Sequence, residues 1–386
     1  MKLRGVLMLS DSFYPVRGGR EMVIHRLMEG LNKKIDVLLG APTFLRHENF
    51  NDNELAYEVV RCGAISLTQN EVLARPDKVF KRRIEDEIKN GKIQLIHVQT
   101  KYALMKYAFK LRKKYGIPIL ASVHTHYPSV YKKTLKFYPI YKFAQNRVKR
   151  LLNKVDRIVT VSNFMKKELI KMGVKKDIEI INNGNNYAGL TVSEEDIKKV
   201  NNLYGWASDE KVLLCIARVC AVKGIDVILN ALTKVKTPAK MVFVGCGEID
   251  SYTDLAKSLN VAEKCQFLGQ INNHDILKAI CARSSLHIFP SVTDTFGLTI
   301  YECGALGTPS IVTENMATAE QIMDGYNGFI TNGSDDDIAR KIDAVLTENF
   351  DLQTVSENAK KTMNLSWDNV VDQYIELYKE VAGGKS

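Results

Sequence analysis

The chain has 386 residues, 45% of them hydrophobic, which is enough for two domains that each bury a core. No apolar run approaches the roughly 20 residues of a membrane-spanning helix. The short apolar stretch near the start is typical of a buried strand and lacks the cleavage site of a signal peptide. The formal net charge is +10, from 54 Lys and Arg against 44 Asp and Glu.

The positive charge is concentrated in the first half of the chain. Residues 1–190 contain 36 Lys and Arg and 17 Asp and Glu, a net charge of +19, whereas the remainder carries −9. Between Glu87 and Asp156 there are 16 basic residues and no acidic one. This asymmetry predicts an anionic partner for the first half, and a solvated basic face is the alternative.

The cysteines predict neither disulfides nor a metal site. They are odd in number, scattered, and without the paired spacing of zinc ligands, which is typical of reduced thiols in a cytosolic protein. The seven positions are Cys62, Cys215, Cys220, Cys246, Cys265, Cys281 and Cys303.

Short apolar, β-branched segments alternate with amphipathic helical patterns along the chain. Apolar strands separated by helices indicate parallel sheets covered on both faces, so we predict an α/β fold. Polar turn residues over 182–196 mark a join, which gives Rossmann-like domains over 1–190 and 191–366 and a final amphipathic helix over 367–386. The predicted strands are GVLMLS, KIDVLLG, IQLIHVQT, IPILASVH, RIVTVS and IEIINN in the first half, and KVLLCIA, AKMVFVG, CQFLG, LHIFPS, PSIVT and NGFIT in the second.

Two strand ends in the first half carry candidate binding residues, because ligands of open parallel sheets bind beyond the C-terminal ends of the strands. Gly18 and Gly19 precede an amphipathic helix whose N-terminal amides could bind an anion, although a plain turn explains them as well. His124 and His126 follow the strand IPILASV. A role in hydrogen bonding to a polar ligand is favoured over metal binding, because no carboxylate or cysteine nearby in the sequence completes a ligand set.

A third strand end carries two cations. Arg218 and Lys223 flank the turn after KVLLCIA, a pairing that suits a diphosphate, since Arg binds phosphate bidentately and Lys provides a point charge. Two surface cations are the alternative interpretation.

The fourth strand end, FPSVTDTFGLTIYECGALGTPSIV, places two acids eight positions apart around a glycine turn. Carboxylates would repel a phosphate, so Asp294 and Glu302 are predicted to accept hydrogen bonds from hydroxyl groups, while the amides around Gly297 face the ligand. A ligand with both phosphates and hydroxyls is a nucleotide sugar. Alternatively, Asp294 caps the helix and Glu302 is a solvated helix acid.

Together these segments resemble the retaining glycosyltransferases of family 4, which have the GT-B fold of two Rossmann-like domains facing each other across a cleft. The hallmark is the pair of acids separated by seven residues, followed by a small-residue helix and a Gly-x-Pro turn. The resemblance covers essentially the whole chain. The other matching segments are ARVCAVKGIDVILNAL, VGCGE, FLGQI, DRIVTVSNFMKKEL, IINNG and the SW…Y..LY pattern of the final helix.

The resemblance implies transfer of a hexose from UDP or GDP, with UDP favoured, to an acceptor hydroxyl with retention at the anomeric carbon. Asp294 and His124 would contact the transferred sugar and Glu302 the ribose, and the leaving diphosphate would help to take the acceptor proton. No cofactor and no catalytic metal are implied. The donor-binding set would be Gly19, Arg218, Lys223, Gly245, Gly269, Phe296, Gly297, Leu298 and Glu302.

The sequence departs from the family pattern at three places. Asp294 stands where Glu is usual, which shortens its reach by about one methylene, and Ala217 stands where Gly is usual. Asn185 and Asn186 stand where the pattern has an acid. The acid positions affect the expected donor preference and leave the reaction class unchanged.

The segment 127–155 interleaves aromatic residues with lysines and arginines, and HTHYPSVY resembles the corresponding segment of family members that glycosylate membrane lipids. We therefore expect a cytoplasmic enzyme, peripheral on the anionic inner face of the cytoplasmic membrane, with a lipid or lipid-linked acceptor. The alternative is that the apolar positions belong to the domain core and the cations are solvated. The predicted acceptor and membrane residues are His126, Tyr127, Tyr131, Lys132, Lys133 and Lys136.

Other functional classes explain less of the sequence. A soluble GT-B enzyme with a small sugar acceptor remains the main alternative, although a phosphorylase would need a pyridoxal-phosphate lysine motif that is not visible. A nucleic-acid-binding protein would explain the basic segment and leave the acids and glycine turn unexplained. A binding module without activity is disfavoured while both acids and both cations are present.

Overall fold

The structure is a computed structural model that describes residues 3–16, 18–44, 50–66, 72–100, 102–134, 137–347 and 350–384, with the side chains of 131–134 outside that description. The chain divides into two compact units, the first formed by Met1–Gly184 with Trp367–Ser386 and the second by Asn185–Ser366. The sequence had placed this boundary after residue 190. Within the described residues, every helix is too short or too polar to cross a membrane.

The first unit is built on an eight-stranded sheet with the order β4-β3-β2-β1-β5-β6-β7-β8. All neighbouring strands are parallel except β3 and β4, which are antiparallel. The central strands are buried on both faces, as their apolar sequences predict. The strands are β1 (Gly5–Leu9), β2 (Asp36–Pro42), β3 (Glu58–Ser66), β4 (Val72–Arg75), β5 (Leu95–Val98), β6 (Ile119–Val123), β7 (Arg157–Thr160) and β8 (Ile178–Ile180).

Strands β3 and β4 are absent from the sequence prediction. Strand β3 has only one buried residue, Cys62, and its other residues are intermediate or exposed. A strand with so little apolar alternation gives a weak periodic signal, and its pairing with β2 at the sheet margin is a tertiary feature.

In the described part of the first unit, six α-helices connect the strands. Side chains of Asp77 and Ser162 cap the second and sixth helices, and Gly116 ends the third in a left-handed conformation. The helices are α1 (Gly19–Asn32), α2 (Lys78–Lys89), α3 (Ala103–Tyr115), α4 (Tyr127–Thr134), α5 (Tyr138–Leu152) and α6 (Asn163–Lys171).

The second unit is built on a six-stranded, fully parallel sheet with the order β11-β10-β9-β12-β13-β14. Each of these strands was predicted from the sequence. The strands are β9 (Val212–Ile216), β10 (Lys240–Val244), β11 (Cys265–Gly269), β12 (Leu286–Phe289), β13 (Ser310–Thr313) and β14 (Phe329–Thr331).

Helices cover both faces of this second sheet, with one hydrophobic core on each side. Ser193, Asn273, Ser334 and Asp351 each cap a helix with a side-chain oxygen. The helices are α7 (Glu194–Tyr204), α8 (Ile225–Leu232), α9 (Ile249–Ser258), α10 (His274–Arg283), α11 (Leu298–Ala305), α12 (Asp335–Leu346) and α13 (Leu352–Thr362).

The last helix, α14 (Trp367–Ala382), belongs to the first unit. It packs on α1, where Gly30 lies so close to Val371 that a Cβ at position 30 would overlap the valine. Gly184 is similarly close to Trp367, because a Cβ at position 184 would lie 2.6 Å from Cδ2 of the tryptophan. Two glycines therefore permit the close approach of this helix to the rest of the unit.

Each sheet reverses its strand order next to the strand that comes first along the chain. In the first unit β1 lies between β2 and β5, and in the second unit β9 lies between β10 and β12. Loops that leave the carboxyl ends of two such neighbours run to opposite sides and leave a crevice, where ligands of open α/β sheets bind. The two α/β units with parallel sheets confirm the predicted fold class.

Candidate active site

The loops after β9 and β10 pack directly against each other at the C-terminal edge of the second sheet. Gly245, with φ +143°, lies so close to the carbonyl of Ala217 that a Cβ there would overlap it. The amide of Gly245 donates to the carbonyl of Gly269 over 2.8 Å. Gly245 and Gly269, predicted from separate motifs, are therefore neighbours, and only glycine fits at position 245.

Lys223 and Asp294 meet across the switch point of this sheet. Lys223 follows β9 and Asp294 follows β12, and Nζ donates to both carboxylate oxygens at 2.6 and 2.7 Å. Their side chains are 22% and 20% exposed, so both remain accessible to a ligand. The structure thus pairs two residues that the sequence assigned to different parts of a donor, and an incoming anion would compete with Asp294 for Lys223.

Arg218 lies exposed in the loop between β9 and Lys223. The same loop is tied to the segment after β12, because Ser291 Oγ donates to the carbonyl of Val222 at 3.1 Å. A Cβ at Gly224 would lie 2.8 Å from Cγ of Pro290. Both predicted cations are therefore carried on one anchored loop.

The turn that begins α11 requires glycine. Gly297 has φ +82°, and a Cβ there would lie 2.8 Å from Ile300 Cδ1 and 3.1 Å from Thr318 Cγ2. Phe296 is buried and stacks on Tyr301 with ring centroids 4.2 Å apart. Leu298, the first residue of α11, is partly buried. This packing fixes the start of a helix whose first amides provide a positive end.

Glu302 is a buried acid, not the solvated helix acid that the sequence left open as an alternative. It is 8% exposed, and its Oε1 accepts a hydrogen bond from Asn186 Nδ2 at 2.8 Å. The neighbouring Asn185 donates to the carbonyls of Tyr301 and Met363 at 2.6 and 2.8 Å. The two asparagines that depart from the family pattern therefore hold α11 and its carboxylate, a contact that sequence reasoning missed.

The predicted anion site at the start of α1 holds an acid that the sequence analysis overlooked. Glu21, in the first turn after Gly19, is 6% exposed and accepts from Ser12 Oγ at 2.5 Å. Arg20 pairs with the same carboxylate at 3.1 Å, and a Cβ at Gly18 would lie 2.6 Å from Glu21 Oε2. A ligand phosphate near Gly19 would therefore approach this paired carboxylate as well as the helix amides.

His124 follows β6 as predicted, and its Nε2 lies 2.8 Å from Oε1 of Gln99. Burial, with a smaller contribution from the charge of Arg20, lowers the pKa of His124 to about 4. The imidazole is therefore neutral near pH 7 and can act as a hydrogen-bond donor and acceptor.

His126 has different surroundings. Its Nδ1 lies 2.6 Å from Ser129 Oγ and its Nε2 lies 3.2 Å from Glu168 of α6. The sequence showed no carboxylate near this histidine, and the fold supplies one from 42 positions away. Across the described part of the chain, no three His, Cys, Asp or Glu side chains form a group that could hold a metal ion.

The predicted acceptor and membrane residues divide into several environments. Tyr127 is 7% exposed and packs in the hydrophobic core of the first unit, so its place in the acceptor and membrane set stays a prediction. Lys136 lies outside the described residues, as do the side chains of Tyr131, Lys132 and Lys133.

The basic aromatic segment is two-sided along α5. Its inner positions Val148 and Leu152 are buried in the core, which matches the alternative that the sequence left open. Its first turns carry large apolar side chains that are more than half exposed, and Lys142 Nζ lies 5.5 Å from the ring centroid of Tyr138. We call this surface the α5 patch, formed by Phe137, Tyr138, Ile140 and Phe143.

Comparison with known proteins assigns the family. The model for "Glycosyltransferase Family 4" matches residues 17–187, and the model for "Glycosyl transferases group 1" matches residues 195–362. The chain is a glycosyltransferase of the GT-B fold, with a family 4 domain followed by a group 1 domain. The matched regions cover both units and contain Arg218, Lys223, Asp294 and Glu302.

Several relatives of this glycosyltransferase are known. An uncharacterized glycosyltransferase of Methanocaldococcus jannaschii is 31% identical to this chain. The aligned region covers 58% of this chain and 60% of that protein. The D-inositol 3-phosphate glycosyltransferase of Mycobacterium marinum is 25% identical over 61% of this chain and 52% of its own length. The alpha-monoglucosyldiacylglycerol synthase of Streptococcus pneumoniae is 23% identical over 96% of this chain and 84% of its own length.

Solved structures share the fold. Anabaena Alr3699/HepE in complex with UDP and glucose superimposes with a TM-score of 0.78 at 18% identity, over 98% of this chain and all of that one. WaaG, a glycosyltransferase involved in lipopolysaccharide biosynthesis, superimposes with a TM-score of 0.69 at 14% identity, over 98% of this chain and all of that one. The TM-scores support the fold of this glycosyltransferase. The sequence identities are too low to assign its substrates.

Proposed function

We propose that this glycosyltransferase moves a hexose from a nucleoside-diphosphate sugar, UDP first, to a hydroxyl of a membrane lipid or lipid-linked glycan, with retention at the anomeric carbon. The observation that supports this most directly is the pair Lys223–Asp294 at the switch point of the second sheet. One group suits a diphosphate and the other suits sugar hydroxyls, and both lie where α/β sheets bind nucleotides.

The chemistry of the reaction follows from which charge develops. As the glycosidic bond of the donor breaks, negative charge grows on the diphosphate, and Arg218 and Lys223 stabilise it. Asp294 accepts hydrogen bonds from hydroxyls of the transferred sugar, and Glu302 accepts them from the ribose. In this proposal the diphosphate itself takes the acceptor proton, which accounts for retention without an enzyme nucleophile, and neither a cofactor nor a metal takes part.

UDP is the first donor to test, because Anabaena Alr3699/HepE was crystallised with UDP and glucose. Isothermal titration of the wild-type protein with UDP, GDP and ADP should give the tightest binding for UDP. Glu302→Ala should lose UDP affinity and transfer, whereas Glu357→Ala, which alters an exposed acid on α13, should keep both. Wild-type-like transfer by the Glu302→Ala protein would refute the assigned role.

A lipid acceptor is supported by the α5 patch and by the charge of the first half of the chain. Four large apolar side chains are 52–65% exposed beside lysines and arginines, in a region with net charge +19. An anionic membrane attracts such a surface and buries its aromatic rings at the headgroup level, which would make the protein a peripheral enzyme on the cytoplasmic face. Two relatives are alpha-monoglucosyldiacylglycerol synthases, which agrees with this proposal.

Vesicle flotation tests the membrane proposal. The protein should float with anionic vesicles at low salt and much less with neutral ones, and the double variant Phe137→Ser/Phe143→Ser should lose flotation. Leu203→Ser, which removes an apolar side chain that is 59% exposed on α7, is the matched control and should behave as wild type. Absence of flotation with anionic vesicles would leave the soluble enzyme with a small sugar acceptor as the better hypothesis.

A further inference from the structure

A buried chain of hydrogen bonds runs through the first unit from the C-terminal helix to His124. Tyr378 Oη of α14 lies 2.7 Å from Nδ1 of His97, and Nε2 of His97 lies 2.7 Å from Ser122 Oγ. Gln99 Nε2 lies 3.2 Å from the same Nε2, and Gln99 Oε1 lies 2.8 Å from Nε2 of His124.

Gln99 is placed where a ligand site of this sheet is expected. It directly follows β5, and its backbone N–H donates to the carbonyl of Leu9 at the end of β1 over 2.8 Å. These two strands flank the switch point of the first sheet. The side chain is only 4% exposed, and His97 is fully buried, so both need hydrogen-bond partners inside the protein.

The protons in this chain can be arranged in two consistent ways. In one, Gln99 donates its amide protons towards His97, which then carries its proton on Nδ1, and the carbonyl of Gln99 accepts from Nε2–H of His124. In the other, the side-chain amide of Gln99 is flipped, and each histidine carries its proton on the opposite ring nitrogen. The two arrangements give His124 opposite donor and acceptor atoms.

The sulfur of Met8 distinguishes the two arrangements. Met8 Sδ lies 3.5 Å from Gln99 Nε2, and a thioether can only accept a hydrogen bond. The flipped amide would place the carbonyl oxygen beside that sulfur and lose this contact. The surroundings therefore favour the amide nitrogen towards Met8 and His97 and the carbonyl towards His124.

We propose that Gln99 is a positioning residue that holds His124 as the Nε2–H tautomer, so that Nδ1 accepts a hydrogen bond from a hydroxyl of the transferred sugar. This inference rests on the proposed function together with the family resemblance, which implies that His124 contacts that sugar. His97 and Tyr378 hold Gln99 in turn, so the C-terminal helix contributes to the orientation of a substrate-contacting residue. The apolar pattern of IHVQT predicts a buried strand and gives no sign of this role for Gln99.

The first test is the tautomeric state of the histidines in the full-length protein, read from long-range ¹H–¹⁵N couplings after ¹⁵N-histidine labelling. Wild type should show the proton on Nε2 of His124 and on Nδ1 of His97, with the resonances assigned by His124→Asn and His97→Asn. A proton on Nδ1 of His124 in the wild-type protein would overturn the proposal. This readout requires neither donor nor acceptor, so it is independent of the proposed function.

The second test compares Gln99→Met with Gln99→Glu. Methionine has a similar length and no strong acceptor, so the Nε2–H preference of His124 should disappear and kcat/KM for the nucleotide sugar should fall about 10- to 100-fold. UDP affinity should stay unchanged, because His124 contacts only the sugar. Glutamate retains an acceptor and should keep the tautomer and more of the activity.

The outcomes separate the two levels of inference. A Gln99→Met protein with the wild-type tautomer and unchanged kcat/KM refutes the role of Gln99. If the methionine variant fails to fold, the tautomer of wild-type His124 and the Gln99→Glu protein still test the role of Gln99. A wild-type protein that binds no nucleoside diphosphate refutes the proposed function, while the tautomer result continues to test the hydrogen-bond chain.

Discussion

At the scale of single residues, the two acids of the candidate donor site have distinct partners. Asp294 is held by Lys223 in a partly exposed ion pair, whereas Glu302 is buried and held by the neutral amide of Asn186. An incoming anion has to compete with Asp294 for Lys223, whereas an acid oriented by an amide still accepts a hydrogen bond from a hydroxyl. The contrast leads to two predictions.

Asp294→Asn should bind UDP more tightly and transfer sugar more slowly. An ion pair between partly exposed groups contributes about 1 kcal/mol, so releasing Lys223 should raise UDP affinity about fivefold. Loss of a charged acceptor for the sugar should lower kcat about 10- to 100-fold. Titration calorimetry and steady-state kinetics measure the two effects.

The control for this variant is Glu85→Gln, which breaks a Lys–carboxylate pair of 2.6 Å with Lys114 in the first unit. It should change neither UDP affinity nor kcat. Unchanged or weaker UDP binding by Asp294→Asn would show that this carboxylate does not compete for Lys223.

Asn186→Asp should weaken UDP binding roughly tenfold. The new carboxylate would stand at hydrogen-bond distance from Glu302, where like charges repel and one acid is forced to take a proton. Asn186→Ala removes the hydrogen bond without adding charge and should have the smaller effect. Calorimetry on both variants tests this order, and a reversed order contradicts it.

At the scale of elements, the close packing of α1 and α14 depends on one glycine. A Cβ at Gly30 would overlap Val371, which is fully buried. Helix propensity alone favours Ala over Gly by up to about 1 kcal/mol, and overpacking a tight interface costs about 1 to 3 kcal/mol. The overlap should therefore outweigh the gain in helix propensity, so that alanine at position 30 destabilises the protein.

Gly30→Ala should lower the free energy of unfolding by up to about 2 kcal/mol, measured by urea denaturation. Val371→Ala, which opens space opposite, should also destabilise when made alone. The double variant should be more stable than the sum of the single changes predicts, because the new methyl fills the space left by the valine. Strict additivity would argue against a direct clash.

At the scale of the whole molecule, both units bury neutral histidines. Burial lowers the pKa of His97 and His287 to about 3, and that of His124 to about 4. Between these values and the ordinary pKa near 6.5, the unfolded chain binds protons that the folded chain does not. Stability should therefore fall as the pH drops below 6.5.

The urea midpoint should be nearly constant from pH 8 to pH 7 and should fall from pH 6.5 to pH 5. Each of the three histidines contributes up to about 1.4 kcal/mol per pH unit in this range. Carboxylates whose pKa is lowered by hydrogen bonds, such as Glu85 and Asp343, remain ionised in this range and add little. An identical midpoint at pH 7 and pH 5 would mean that these histidines do not stay neutral in the folded protein.

Local sequence patterns are sufficient to predict the class of each unit and the positions of the strand-end loops. Buried strands between amphipathic helices show in local apolar periodicity, and the turn at Gly297 shows in local glycine chemistry. All six strands of the second sheet were predictable in this way. Strand β3 was not, because its largely half-exposed residues have no clear pattern, and β4 was not, because a strand of four residues is too short for its alternation to stand out in the sequence.

Which distant side chains come into contact depends on the folded chain and cannot be read from local patterns. Lys223 and Asp294 lie 71 positions apart, and Asn186 and Glu302 lie 116 apart. The order of strands in the sheet brings Lys223 and Asp294 together, and the docking of the loop after β8 on α11 brings Asn186 to Glu302. Hydrogen bonds act over about 3 Å. Groups this far apart in the sequence come within that distance only when the chain folds, so local sequence does not reveal the contact.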